Sequence, residues 1–453
     1  MYGFSLKKIA EVCGGTLIGD QAGADREALS IVIDSRKVQP GDLFAAFRGE
    51  QTDGNAYIGK AFENGAIACI TDRQPDKEYP GLIILVEDVQ KALEKFAFEY
   101  MRSIDILKVG ITGSVGKTTA KEMIASVLSQ RYKVLKTDGN FNNQLGVPVT
   151  VSRIQKEHQI AVIEMGVSKI NDMDLLGDIV RPDVGVFTSI GNAHLEYLKD
   201  LEGVFTEKTK MLRYMPEGAL AVVNGDDPRL ASVEFGGRLI KCGTGDGNDY
   251  RAENIDFSTE GSTLFDIVLP ERRINSVLIN SFGMQYVYDA MLAAAVGYNF
   301  GLTDDEIKAG IAAYSNVGRR GDIIPKNGFV IIDDSYNANP ESMKSAIDSM
   351  MLIPGRHICV LGDMLELGEN EDSLHADIGS YATAKGVDLV YTCGPLSANI
   401  SMSFIRDGRH YDDVDELIKD LESIIKQGDV ILIKASRGMR FERITEALKS
   451  CKK

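Results

Sequence analysis

The chain has 453 residues, 44% hydrophobic and 26% charged, an ordinary globular composition that excludes a wholly disordered or collagen-like polypeptide. At about 100 to 200 residues per domain, this length predicts about three domains, each with its own core. Fifty Lys and Arg against 66 Asp and Glu leave a net charge of −16, so nucleic acid and anionic membrane surfaces would meet repulsion and neither is expected as a partner.

No apolar run approaches the roughly 18 to 20 residues that span a bilayer. The start, Met1 to Asp20, lacks a basic stretch followed by an apolar one, and a cytoplasmic protein is expected. Cys13, Cys69, Cys242, Cys359, Cys393 and Cys451 show neither CxxC nor CxH spacing, which argues against a disulfide framework or a zinc knuckle. They read as reduced, mostly buried thiols.

Along the first hundred residues, IVIDSRKVQPGDLFAAF predicts two strands around a Pro40-Gly41 turn, and YIGKAFENGA a helix closed by glycine. A helix is expected over 89–102. The apolar strand ILKVGIT then runs into GSVGKTT and an amphipathic helix, so a second domain begins at 105. Strands at 133–136, 160–164 and 184–189 alternate with helical segments, the pattern of a mainly parallel sheet. Residues 251–280 alternate apolar and polar side chains at period two and predict an antiparallel appendage. Two helices lead to Gly-Arg-Arg-Gly at 318–321, where the third domain begins. From FVIID to DVILIK, strand and helix alternate as in a doubly wound, Rossmann-like sheet. The expected architecture is α/β in three domains: 1–104, a small α/β unit; 105–317, a phosphate-loop ATPase-like unit with a mainly parallel sheet; and 318–453, a Rossmann-like unit.

Gly113, Ser114, Gly116, Lys117, Thr118 and Thr119 lie between an apolar strand and a helix, the context that turns a glycine-rich stretch into a phosphate cradle. Backbone N–H groups close around phosphates, Lys117 supplies a point charge, and the Thr118 hydroxyl suits Mg2+. The strict spacing would need glycine where Ile111 stands, so this is a shortened relative of the Walker loop. Glu164 ends the strand AVIE, where open α/β sheets bind ligands, and its carboxylate is a second hard oxygen ligand.

Further stretches follow in order: DGNFNNQLGVPVT, EMG, NAHLEYL, EKTK, DDSYNANPESM, LGDMLELG and KASRGM. Together, over essentially the full chain, they resemble the Mur ligase family. The resemblance implies an ATP- and Mg2+-dependent amide ligase, a monomer, in which the terminal carboxylate of UDP-MurNAc-tripeptide is phosphorylated and the amine of D-Ala-D-Ala attacks the acyl phosphate. It implies Lys117, Asn143, His194 and Lys208 as catalytic residues. Thr118, Glu164, His194 and Lys208 would surround metal, with Lys208 as a carbamate. Asp289, Arg319, Asp334 and Asn337 would join the phosphate loop in holding nucleotide, Arg319 reaching the phosphates and Asp334 the ribose. Substrate would meet Asn142, Tyr336, Asn339 and Asp363, with Ser35, Arg36 and Asp53 at its UDP end. Lys434 and Arg437 would face the closed cleft, and Glu366, like Asp363, would lie near the incoming dipeptide.

Without that resemblance, Lys208 reads as a solvated helix lysine, Asn142 and Asn143 as an Asn-rich turn, and Asp363 and Glu366 as solvated charges. Departures from the family pattern are Asn55, Val115 and the residues after EMG, together with Gln285, Tyr286 and Asp289 around the expected adenine pocket. The rival expectation is a family paralogue that joins an amine to a different carboxylate.

Overall fold

The computed structural model describes residues 1–49, 52–258 and 261–451. Among them are three sheets, each inside one of the three expected segments. The first has five strands in the order Thr16–Ile18, Leu82–Leu85, Ala68–Thr71, Leu43–Ala45, Ile31–Val32, with only the first pair antiparallel. The strands flanking Pro40-Gly41 pair in parallel, Ile31 opposite Leu43. The segment between them is thus a crossover containing the short 3-10 turn Ser35–Lys37, not a hairpin.

Helix Val89–Ser103 joins this unit to the next. Its apolar face carries Leu93, Phe96, Ala97 and Tyr100, all fully buried in a core continuous with that of the middle domain. Tyr100 donates to the Ile154 carbonyl at 2.7 Å, and the Ile31 amide donates to Ser152 Oγ at 2.9 Å. Full burial of each large apolar side chain contributes about 1.5–3 kcal/mol, so several of them on one helix make this junction a packed core and not a loose linker.

The middle sheet has nine strands, with Leu107–Thr112 between Ile160–Glu164 and Val184–Phe187. All three run parallel, Ile111 pairing with Glu164 and Thr112 with Phe187, so three carboxyl-terminal strand ends converge. Tyr250–Asp256, Thr263–Val268 and Arg273–Ile279 form the expected antiparallel extension. Helix Lys117–Leu128 packs on the parallel strands Leu107–Thr112 and Ile160–Glu164 and against Met284–Asn299, whose Ala-rich centre is fully buried.

The C-terminal sheet has six strands, Asp322–Lys326 antiparallel at one edge and five parallel ones after it. Phe329–Asp333 lies beside Asp429–Lys434, so the loops leaving these strands emerge together. Helices cover both faces, seen in the two cores on opposite sides of the sheet. Cys13, Cys69, Cys242, Cys359 and Cys393 are buried free thiols, and Cys451 is half-buried. Among the described residues, no helix is long and apolar enough to cross a membrane.

Candidate active site

A cavity of about 490 Å3 lies between the strand ends of the middle and C-terminal sheets, within the size range of small-molecule sites. Its floor is the phosphate loop. The Ser114 amide donates to the Ser189 carbonyl at 2.8 Å, and Ser114 Oγ donates to the Gly191 carbonyl at 3.0 Å. The segment leaving the neighbouring strand thereby braces the loop. Gly116 has φ +89°, a left-handed conformation that glycine adopts without strain, and it caps helix Lys117–Leu128. Gly113 also turns at positive φ, and a side chain there would strike Thr188.

Lys117 Nζ donates to the carbonyls of Gly113 at 2.6 Å and Ser114 at 3.2 Å. Desolvation pulls its pKa below the ordinary lysine range; Glu164 opposes this and Arg320 adds to it. Thr118 Oγ1 donates to the Glu164 carboxylate at 3.0 Å, and Asn142 Nδ2 donates to the same group at 2.7 Å. The fully buried Lys121 stands 3.9 Å from it. A hydroxyl and an ionisable carboxylate brought this close, at the mouth of a phosphate cradle, fit a hard cation such as Mg2+. Among the described residues no cluster of three His, Cys, Asp or Glu forms a self-sufficient metal cage, in keeping with Mg2+ sites that rely on phosphate and water.

His194 also lines the cavity, its Nδ1 2.6 Å from the Glu366 carboxylate of the opposite domain. Lys208 is fully buried in helix Leu201–Thr209 and not on a solvated face. Burial pulls its amine well below the ordinary lysine range and the Lys117 charge adds to this, against Glu207 and Asp172. Asn143 lines the cavity while its Oδ1 accepts from the amides of Leu145 and Gly146.

From the C-terminal domain, Lys434 Nζ donates to Asp334 at 2.5 Å and to the Asn337 carbonyl at 3.0 Å, tying together the two adjacent strand exits. Desolvation raises the Asp334 carboxyl and Lys434 opposes it. Tyr336 is flanked by two guanidinium groups, Arg320 at 3.9 Å and Arg437 at 5.3 Å from its ring centre. Asn339 lines the cavity but also caps helix Pro340–Met351, accepting from the Ser342 amide at 2.8 Å, with Pro340 in the first turn.

Two expectations shift, those for Arg319 and Asp363. Arg319 does not line the cavity; it turns toward Asp333, Glu442 and Glu446 at 3.7–3.9 Å, and the neighbouring Arg320 faces inward. Left-handed backbone at Arg319, φ +59°, sets which of the two arginines points in. Asp363 is buried beneath the strand ends, where it accepts from the Ser397 amide at 2.7 Å and supports the turn from Gly394, so it does not line the cavity. Ser35, Arg36 and Asp53 lie on the N-terminal unit as expected, outside the cavity: Ser35 is buried, Arg36 is exposed and paired with Asp34, and Asp53 caps a 3-10 turn and pairs with Arg73. Arg320 was not anticipated. Its only sequence signal is the Arg-Arg doublet, in which the two residues are indistinguishable.

Residues 29–101 match the Mur ligase family catalytic domain, 111–297 the Mur ligase middle domain, and 319–437 the Mur ligase, glutamate ligase domain. The chain is 36% identical over 453 residues to the UDP-N-acetylmuramoyl-tripeptide--D-alanyl-D-alanine ligase of Bacillus subtilis (strain 168), covering 98% of each. It is 34% identical to the Escherichia coli (strain K12) ligase of the same name, covering 99% of each. Among solved structures, MurF from Acinetobacter baumannii superposes with a TM-score of 0.88 at 27% identity, over 99% of both chains. The MurF ligase from Thermotoga maritima in complex with ADP does so with a TM-score of 0.81 at 32% identity, over 93% of this chain and 97% of that one. With all three parts and its whole length matched, the chain belongs to the Mur ligase family.

Proposed function

We propose that the protein is the ATP-dependent ligase that adds D-Ala-D-Ala to UDP-MurNAc-tripeptide, working as a cytoplasmic monomer in peptidoglycan precursor synthesis. The observation that carries this reading is the convergence of the phosphate loop, the Thr118–Glu164 pair and the Asp334–Lys434 exits on one cavity. It is supported by full-length relatives named for this reaction, one of them solved with ADP.

A carboxylate resists amine attack because its charge is delocalised; transfer of the ATP γ-phosphoryl to one oxygen makes that oxygen a leaving group and releases ADP. The amine of D-Ala-D-Ala then forms the C–N bond, loses a proton, and inorganic phosphate departs. Such transfer depends on positioning and charge neutralisation. Lys117 would swing from its two loop carbonyls to the transferring phosphoryl. Thr118 and Glu164 would hold Mg2+, which would supply positive charge to neutralise the phosphates. Asn142 and Asn143 offer neutral hydrogen bonds beside the acyl phosphate, and Arg320 and Arg437 carry positive charge in from the C-terminal side. Asp334 would accept from ribose hydroxyls, and Ser35, Arg36 and Asp53 would hold the UDP end. Lys208, its amine biased toward the neutral form, is suited to CO2 addition, and as a carbamate it would give the metal region an anion beside His194.

The test is to incubate the protein with ATP, Mg2+, UDP-MurNAc-tripeptide and a panel of dipeptides, and to follow phosphate release with product mass. Release that depends on D-Ala-D-Ala, with a UDP-MurNAc-pentapeptide product, is expected. Turnover only with a different acceptor would replace this reading with the paralogue one.

A further inference from the structure

Three residues on the C-terminal wall of the cavity, Leu365, Glu366 and Leu367, come from the turn that leaves strand Arg356–Gly362. Glu366 reaches across to His194 at 2.6 Å. Beside it the turn meets the middle domain again. The Glu196 amide donates to the Glu366 carbonyl at 3.4 Å, and a side chain at Gly368 would come within 3.3 Å of the Glu196 backbone. The turn lies past the strand end, so its amides need partners outside the sheet. The Leu365 amide donates to Ser436 Oγ and the Met364 amide to His375 Nε2, each at 2.9 Å.

His375 occupies helix Glu371–Lys385, fully buried on the same face as Ile378, Gly379 and Ala382. Both ring nitrogens are committed. Nδ1 lies 2.6 Å from the Glu371 carbonyl one turn back, and a carbonyl can only accept; Nε2 receives an amide N–H, which can only donate. The proton therefore sits on Nδ1 while Nε2 keeps its lone pair, a single tautomer. The ring is tied to the backbone of its own helix on one side and to the cavity turn on the other. A histidine on an apolar helix face can be explained as a partner for one buried amide and nothing more. Here, however, that amide lies two residues before Glu366. Glu366 itself sits in left-handed backbone, φ +64°, so the direction of its side chain depends on where Met364 is held.

We propose that His375 is a positioning residue for the active site: by holding the Met364 amide it fixes Glu366 against His194. His375 does not itself line the cavity; it acts through the turn. A misplacement of about 1 Å near reacting groups can cost about a hundredfold in rate, so a buried tie that sets the turn has a functional reach beyond its own contacts. Glutamine can present a carbonyl oxygen near the position of Nε2, whereas leucine fills the space with no acceptor. The kinetic test rests on the ATP-ligase reading, and the inference adds to that reading a residue that the cavity lining does not include.

The test is a double-mutant cycle in the full-length protein: parent, His375→Leu, Glu366→Ala and the two combined, with His375→Gln beside them, each assayed for kcat and for the KM of ATP. His375→Leu should raise that KM about fivefold, as Glu366→Ala does, because both break the same tie. Combined, they should raise it no further than Glu366→Ala alone, since residues acting through one contact are not additive. His375→Gln keeps the acceptor and should stay within about twofold of the parent. An unchanged KM in His375→Leu, effects that multiply in the combined variant, or a His375→Gln as impaired as His375→Leu would overturn the assignment. A parent protein without ATP-dependent turnover would instead remove the ATP-ligase reading. Should His375→Leu fail to fold, amide hydrogen exchange in Glu366→Ala decides. The Met364 and Leu365 amides should stay as protected as in the parent, because their own domain holds them; protection lost with the Glu366 side chain would contradict the proposal.

Discussion

His194 Nδ1 of the middle domain lies 2.6 Å from the carboxylate of Glu366, which belongs to the C-terminal domain. Both residues adopt left-handed backbone, φ +57° and +64°, so each chain bends to bring its side chain to the same point. Two further ties cross the cleft: Glu341 accepts from the Asn192 amide at 2.8 Å and from its side chain at 2.7 Å, and Gln285 accepts from Ser349. The cavity histidine is thus oriented by the domain opposite, which links its geometry to the closed arrangement of the two domains.

Removing both acids, Glu341→Ala with Glu366→Ala, should open the cleft. A hydrogen bond to a charged group contributes about 1.5–3 kcal/mol, so the closed form should lose about tenfold or more in population. Small-angle scattering should record a larger radius of gyration, and the KM for ATP should rise by a similar factor. Unchanged dimensions and KM would mean that these ties do not hold the domains.

Lys117→Ala should leave the fold intact, because its ammonium only decorates two loop carbonyls. Turnover should fall about a hundredfold or more, since it removes a charge aimed at the transferring phosphoryl. Circular dichroism checks the first expectation and phosphate release the second.

Lys208 supplies a test with a sign. Its amine titrates well below the ordinary lysine range because it is buried and close to the Lys117 charge. Between the two values the unfolded chain holds a proton that the native state has lost, so parent stability rises with pH until the ordinary lysine range is passed and both states are neutral. Lys208→Met keeps the bulk without the charge. In CO2-free buffer at neutral pH it should be about 1 kcal/mol more stable than the parent, with the difference closing as pH climbs, while turnover falls about a hundredfold. Urea melts at neutral and alkaline pH check the stability; full activity in this variant would reject a role for Lys208 near the metal.

Much of this site was legible because its spacing is local. A strand, two glycines, Lys117 and Thr118 within a dozen residues specify a cradle, and Glu164 ends a strand whose register with Ile111 brings it to the loop. What was not legible depends on single backbone rotations or on distant partners. One left-handed residue exchanges Arg319 for Arg320 at the cavity. Asp363 looks like a loop acid until Ser397, far along the chain, is seen to donate to it. Lys208 resembles a solvated helix lysine because burial arises from tertiary packing, which helical position alone does not reveal. The Pro40-Gly41 segment reads as a turn between two strands, and those strands pair in parallel because the segment between them, with its short 3-10 turn Ser35–Lys37, provides a crossover.

The central claim, that two domains close one site in which a tripeptide carboxylate is activated by ATP, is tested most directly by isotope transfer. UDP-MurNAc-tripeptide labelled with 18O in its terminal carboxylate should be incubated with ATP, Mg2+ and D-Ala-D-Ala, and the released phosphate analysed by mass spectrometry. Formation of an acyl phosphate predicts one 18O in each phosphate released with each UDP-MurNAc-pentapeptide formed. Pentapeptide accompanied by unlabelled phosphate would contradict it.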